Sequence, residues 1–154
     1  MTETFMIAPA GTRPLWVLVP AGLLMAAVLC ALLLSLYGSR AARFEVSAAG
    51  LRLRGDFYGR FIPADQLRAA EARRVDLARE PSLRLRLRTL GTGLPGYQAG
   101  WFRLAGGGKA LVYLTDRSRA VHVPTRRGYS VIVTPADPDA FVESIRRLSA
   151  TRTR

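Results

Sequence analysis

The hydrophobic positions near the start of the chain form one long uninterrupted run. Residues Leu15 to Tyr37 contain no charged side chain in 23 positions. A helix of that length spans about 34 Å, enough to cross a hydrocarbon core of about 30 Å. The pattern predicts one transmembrane helix over residues 14–38, preceded by a tail of residues 1–13. A cleaved secretory signal has a shorter apolar core and a basic start, so a retained helix is favoured.

Basic residues flank this predicted helix unequally. Arg40 and Arg43 follow it, whereas Arg13 alone precedes it. Because basic residues concentrate on the cytoplasmic side of a span, the C-terminal domain is predicted to lie in the cytoplasm. The predicted location is therefore the cell (inner) membrane, crossed once.

Beyond the predicted span, apolar and polar residues alternate with a period of two in short segments separated by turn residues. This pattern is typical of half-buried β-strands. Near the end of the chain the period becomes helical, and one apolar stripe is formed by Phe141, Val142, Ile145 and Leu148. We therefore expect a mainly β fold with one C-terminal α-helix, in which about seven antiparallel strands form a sandwich or partly open barrel.

The strongest alternation in the chain lies at Leu83–Arg88, where three leucines alternate with three arginines. In one strand this spacing places the leucines on one face and the arginines about 7 Å apart on the other. Such arginines are suited to binding a row of phosphates, and the alternative is a solvated outer face. The candidate ligand-binding residues here are Arg84, Arg86 and Arg88.

A segment rich in glycine follows at Gly91–Trp101, with four glycines and one proline. This composition predicts a shaped loop and not a regular element. A phosphate-binding loop of the GK[ST] type is excluded, because the segment enters a strand instead of a helix. Tyr97 and Trp101 are candidate partner-binding residues, with the alternative that their rings plug the end of a barrel.

The charge is concentrated after the predicted span. The net charge is +12, and residues 38–154 hold 22 of the 23 basic and 10 of the 11 acidic residues. A basic surface attracts anionic lipid headgroups or nucleic acid, although arginines spread over solvated faces give the same total. In the turn Asp116–Arg119, Arg117 and Arg119 are candidates for holding an anion, unless Asp116 only stabilises its own turn.

Residues that support catalysis or metal binding are sparse. Cys30 is the only cysteine and lies in the apolar run, and His122 is the only histidine, so a metal site built from both types is not expected. No set of residues for a nucleophilic triad or a carboxylate pair is recognisable. We expect no enzyme and no cofactor, and no nucleic-acid motif accompanies the charge.

Several short segments of the chain resemble bacterial pleckstrin-homology-like (PH-like) domains. They are RFEV (43–46), GLRL (50–53), GRFIP (59–63), GLPGYQAGWF (93–102), LTDRS (114–118), VPT (123–125) and DPDAF (137–141). The resemblance implies a PH-like domain over residues 43–149, followed by a flexible tail of residues 150–154. It implies a small membrane-associated domain and brings no catalytic residues. Phosphoinositide binding is not carried over, because Arg52 and Arg54 match the family's basic pair only loosely.

The sequence and the resemblance together predict a single-pass membrane protein with a cytoplasmic PH-like binding module, acting as an adaptor or as a subunit of a membrane complex. The predicted partners are the lipid bilayer, anionic lipid headgroups and a membrane protein of unknown identity. The alternative is a protein-recognition domain with no lipid role, which uses a strand edge or the Gly91–Trp101 loop. The candidate lipid-binding residues are Arg52, Arg54, Arg84, Arg86, Arg88, Arg117 and Arg119.

Overall fold

The architecture is mainly β with a helix at each end of the described chain. A computed structural model describes residues 15–54, 58–94 and 96–150. Its helices are α1 (Leu15–Ala41) and α2 (Pro138–Ala150), and three short 3-10 turns lie at Ala64–Gln66, Ala69–Glu71 and Pro81–Leu83. The strands are β1 (Arg43–Ser47), β2 (Gly50–Arg54), β3 (Arg60–Pro63), β4 (Arg73–Val75), β5 (Leu85–Leu94), β6 (Tyr97–Leu104), β7 (Lys109–Leu114), β8 (Ala120–Pro124) and β9 (Tyr129–Val133).

Helix α1 comprises 27 residues and includes Pro20. Its apolar side chains are largely exposed, for example Leu24 at 68% and Met25 at 74%. Among the residues that the structure describes, no helix meets the combined requirement of length and apolarity for crossing a membrane. The membrane span over residues 14–38 stays a prediction. The predicted tail at 1–13 and residues 151–154 lie outside the described residues, whereas Ala150 is the last residue of α2.

The strands form two sheets, which is consistent with the expected sandwich. A three-stranded sheet has the order β1-β2-β3, and a six-stranded sheet has the order β4-β8-β9-β7-β6-β5. The expectation of seven antiparallel strands was wrong in two respects: nine strands are present in the described residues, and β7 pairs with β9 in parallel. Strand β9 folds back from β8 and lies between β8 and β7. Alternation identifies a strand but not its neighbour, which is why the pairing was not predicted.

The six-stranded sheet has a hydrophobic core on each face. The inner core lies against the three-stranded sheet and α2, and includes Leu51, Leu53, Ile62, Tyr97, Leu111, Tyr113, Val131 and Ile145. The outer core lies on the other face, where Leu77, Leu83 and Leu85 pack against Phe102, Val112 and Ile132. Strand β7 is therefore buried on both sides, from Ala110 to Leu114.

Helix α2 begins at Pro138, directly after a capping residue. One carboxylate oxygen of Asp137 accepts the backbone N–H groups of Asp139 and Ala140 at 3.1 and 3.0 Å, which is an N-terminal cap. Phe141, Val142 and Ile145 are buried in the inner core. The predicted apolar stripe of α2 therefore packs against the two sheets through these three residues.

Candidate functional site

The glycine-rich segment is a β-hairpin, so the prediction of an irregular loop was wrong. Strands β5 and β6 pair continuously from Leu94↔Tyr97 to Gly91↔Gly100. A Cβ atom at Gly100 would lie 2.3 Å from the carbonyl oxygen of Leu90, and one at Gly91 would lie 2.2 Å from that of Ala99. The glycines therefore allow two strand backbones to approach closely. In this segment the glycine content marks a close pairing of strands and not a loop.

The two aromatic candidates of that segment have different surroundings. Tyr97 is only 2% exposed and belongs to the inner core, so its ring is not available for contact with a partner. Trp101 is half-buried and packs edge-on against Tyr129, with ring centroids 5.1 Å apart. The guanidinium of Arg60 lies 5.4 Å from the centre of the Trp101 ring. Only Trp101 remains a candidate for binding.

The predicted row of three arginines does not exist. Residue 84 precedes β5, and the register of β5 against β6 shifts between Leu85 and Leu87 and again between Arg88 and Leu90. Each shift inserts one extra residue, which moves the following side chains to the other face. The three arginines are exposed, and Leu87 of the predicted buried face is 58% exposed.

The first hairpin places its two candidate arginines on the exposed side of the three-stranded sheet. The guanidinium of Arg52 lies 5.4 Å from the centre of the Phe61 ring. Arg54 forms an ion pair with Glu45 at 3.6 Å, with both side chains about half exposed. Each guanidinium thus already has a neighbour within the sheet.

The turn between β7 and β8 is stabilised by its own acid. A carboxylate oxygen of Asp116 accepts the backbone N–H of Ser118 at 2.8 Å and its hydroxyl at 2.7 Å. These two hydrogen bonds hold the pKa of Asp116 below its usual range. Arg119 donates to the carbonyl oxygen of Ala136 at 3.2 Å. The carboxylate of Asp116 is therefore hydrogen-bonded within its own turn.

This turn lies beside the junction of α1 with the domain. A groove of about 890 Å³ is lined by Ala42, Arg43, Asp116 and Arg119 among others, and Ala42 directly follows α1. Arg43 pairs with Arg54 in the β1–β2 register. We call the group Arg43, Arg54, Arg117 and Arg119 the proximal surface: Arg43 and Arg119 line this groove, Arg54 is paired with Arg43, and Arg117 belongs to the same turn as Arg119.

A second basic region lies at the other end of β7. A cleft of about 600 Å³ is lined by Arg60, Trp101, Lys109, Arg127 and Tyr129, which we call the distal cleft, together with Thr89, Leu90 and two glycines. No acidic residue is among these lining residues. Sequence reasoning missed this site because its residues come from separate elements. The only shared sequence signal is that each basic residue adjoins a glycine, at 59–60, 108–109 and 127–128.

The histidine on β8 lies near a tight ion pair. Arg73 donates two hydrogen bonds to the carboxylate of Glu80, both at 2.6 Å, which raise the pKa of Arg73 and lower that of Glu80. His122 is opposite Arg73 in the β4–β8 register, and its buried Nε2 atom has no hydrogen-bond partner among the described residues. Burial first, and the charge of Arg73 second, lower the pKa of His122, against smaller opposing effects of Glu80 and Glu71.

This environment predicts a pH-dependent stability. Since the fold disfavours the charged imidazole, the unfolded chain binds more protons below about pH 6.5, the usual histidine pKa. The contribution of the neutral His122 to the free energy of unfolding is therefore expected to be fully present above that pH and to be lost as the pH drops below it. Urea unfolding between about pH 7.5 and about pH 5.5 measures the decline. His122→Gln is expected to reduce the slope of the unfolding free energy against pH. An unchanged slope would contradict the assignment of the decline to His122. Asp116 and Glu80, with lowered pKa values, act only at more acidic pH.

Chemistry beyond these surfaces is limited in the described ranges. In residues 15–54, 58–94 and 96–150, no group of three or more histidine, cysteine or acidic side chains is placed to hold a metal ion. The features that remain are basic surfaces on a small β domain with a C-terminal helix.

Comparison with known proteins identifies the family. The family model described as Bacterial PH domain matches residues 42–149. The chain belongs to the bacterial PH domain family, and the resemblance found in the sequence is confirmed. This family is generally non-catalytic. No similar curated protein and no similar solved structure was found.

Proposed function

We propose that this chain is a single-pass protein of the cell (inner) membrane, in which α1 crosses the bilayer and the PH-like domain is a cytoplasmic binding module. The family fits a binding module. Support for the membrane span comes from the uncharged run Leu15–Tyr37 and from the exposed apolar side chains of α1. Support for the orientation comes from Arg40 and Arg43, which follow the run.

The observation that carries the proposal is the junction between α1 and the domain. Only Ala42 separates the end of α1 from the start of β1. A helix in the bilayer would therefore hold the proximal surface next to the lipid headgroups. Basic residues close to an anionic membrane contribute about 1 kcal/mol each. The module would act as an adaptor or as a subunit of a membrane complex, with its domain held against anionic lipid.

Sedimentation of residues 43–154 with vesicles tests the lipid contact. The fragment is expected to bind anionic vesicles more tightly than neutral ones, with an affinity that falls as salt is added. The double variant Arg117→Gln/Arg119→Gln is expected to bind anionic vesicles roughly 30-fold more weakly, from about 1 kcal/mol per residue.

The matched control removes the same charge from the distal cleft. Lys109→Gln/Arg127→Gln takes away two positive charges at the other end of β7. When the proximal surface faces the vesicle, this variant is expected to change binding by less than about twofold, since Lys109 and Arg127 then lie beyond a Debye length from the headgroups. Equal losses in the two variants, or equal binding to neutral vesicles, would refute the lipid contact.

A second candidate function is protein recognition with no lipid role. The loop version of this hypothesis has less support, because residues 91–94 and 97–101 lie in strands and Tyr97 is in the core. The strand-edge version is favoured by β5, which is an edge strand of ten residues with Leu87 and Leu90 exposed.

A further inference from the structure

Among the described residues, the cations of the distal cleft have no acidic partner. Arg60, Lys109 and Arg127 are exposed, and none forms an ion pair with a carboxylate of the described residues. Six other arginines do form such pairs: Arg54, Arg68, Arg73, Arg74, Arg79 and Arg147. Three like charges around one concavity raise its positive potential, which a bound anionic group would neutralise.

The positive region extends from the cleft to the edge of the six-stranded sheet. An adjoining groove of about 660 Å³ is lined by Arg86, Leu87, Arg103 and Lys109 among others, again without an acidic residue. The groove and the cleft share Gly108 and Lys109. The strand register places three of these residues side by side on β5, β6 and β7, because Leu87 is opposite Arg103 and Arg103 is opposite Lys109. Lys109 is therefore the central cation of a continuous basic surface.

Apolar groups are part of the same surface. Leu87 and Leu90 are more than half exposed, and Leu90 lines the cleft beside Trp101. Both leucines lie on β5, whose outer edge is paired with no strand of the described residues. A small inorganic anion would leave these leucines in water. A ligand that combines carboxylates with apolar side chains covers both features, as an extended polypeptide segment does.

The position of the cleft argues against the chain's own membrane as its ligand. The cleft lies at the first residue of β7, and the proximal surface follows its last residue. A strand of this length spans about 17 Å. The lipid headgroups proposed for the proximal surface are therefore at the far end of β7 from Lys109 and Arg127, whereas Arg60 is opposite Leu53 and lies next to Arg54 in the register.

We propose that the distal cleft and the adjoining edge of β5 bind an acidic polypeptide segment of a partner protein that also carries large apolar side chains. Carboxylates of the segment pair with Lys109, Arg127 and Arg60, and its apolar side chains cover Leu87 and Leu90. This inference rests on the proposed role as a binding module but not on the lipid contact.

The chain offers a direct reporter for this site, because Lys109 is its only lysine. Reductive methylation with ¹³C-formaldehyde labels Lys109 and the N-terminal amine and keeps the positive charge of the lysine. The full chain in neutral-lipid nanodiscs is titrated with a short synthetic peptide that alternates glutamate and leucine. A saturable shift of the Lys109 methyl signal is expected, and no shift would overturn the proposal. A peptide that alternates glutamate with serine is expected to bind more weakly, and equal affinity would overturn the role of the leucines.

Matched variants separate the site from the total charge. Fluorescence anisotropy of the labelled peptide is expected to show about tenfold weaker binding to Lys109→Gln/Arg127→Gln, from two exposed charge pairs. Arg117→Gln/Arg119→Gln removes the same charge and is expected to change the affinity by less than about twofold. Equal losses would overturn the proposal. The proposal would also be overturned if the Lys109 methyl signal shifted with pyrophosphate or with anionic nanodiscs but did not shift with the peptide. Failure of vesicle binding would leave this result unaffected.

Discussion

Replacing Gly100 with alanine is expected to destabilise the PH-like domain by at least about 3 kcal/mol. Two causes act together. The backbone at Gly100 has a φ angle of 121°, which side chains rarely adopt. The added Cβ atom would also lie 2.3 Å from the carbonyl oxygen of Leu90 and 2.5 Å from the Cα atom of Gly91. Both neighbours are backbone atoms of the paired strand, so relief requires separation of β5 from β6.

The control for this variant is Gly107→Ala. Gly107 has a φ angle of 91°, but nothing lies within 4 Å of an added Cβ atom. Its cost is expected to be only that of the backbone conformation, about 1–2 kcal/mol. Chemical denaturation of the two variants of residues 43–154 gives both values. Similar losses of unfolding free energy in the two would contradict the close approach of the β5 and β6 backbones.

The second large effect is expected in the location of the full chain. Native membranes extracted with alkaline carbonate should retain it in the pellet, since α1 carries no charge from Leu15 to Tyr37. The double variant Leu24→Asp/Leu29→Asp places two charges near the middle of α1, at about 3 kcal/mol each on the insertion scale. This variant is expected in the supernatant, whereas Leu24→Ala/Leu29→Ala should remain in the pellet.

The single cysteine provides an independent measurement of the same prediction. Cys30 lies in α1 and is exposed on the helix surface. In a bilayer it should react with a water-soluble maleimide only after detergent is added, because the hydrocarbon core excludes the reagent. Rapid labelling of Cys30 in intact membranes would overturn the membrane span. Recovery of the chain without substitutions in the carbonate supernatant would overturn it as well.

The sequence predicted the local elements of the domain better than their arrangement. The presence of several short strands follows from alternation and turn residues, and helix α2 follows from the apolar stripe of Phe141, Val142, Ile145 and Leu148. These features depend on neighbouring residues, which a sequence displays directly. The insertion of β9 between β7 and β8 depends on contacts between distant residues, which periodicity does not encode.

The errors at the candidate sites have the same physical origin. The alternation at Leu83–Arg88 predicts one regular strand, but two bulges in β5 change the face on which its side chains lie. The position of Tyr97 among glycines makes it a candidate for partner binding, yet those glycines pair two strands over the core, where its ring is buried. The distal cleft was not predicted, since Arg60, Trp101 and Lys109 meet only after the two sheets pack.

The short junction at Ala42 restricts how the domain can search for a ligand. A module on a long flexible linker samples a volume that grows with linker length. Here a single residue separates α1 from β1, so no flexible linker allows the domain to move away from the end of the helix. For a chain held by α1, the height at which a ligand is captured is fixed by the size of the domain itself. A ligand must come to that height, and tilting of the helix is the main motion left to meet it.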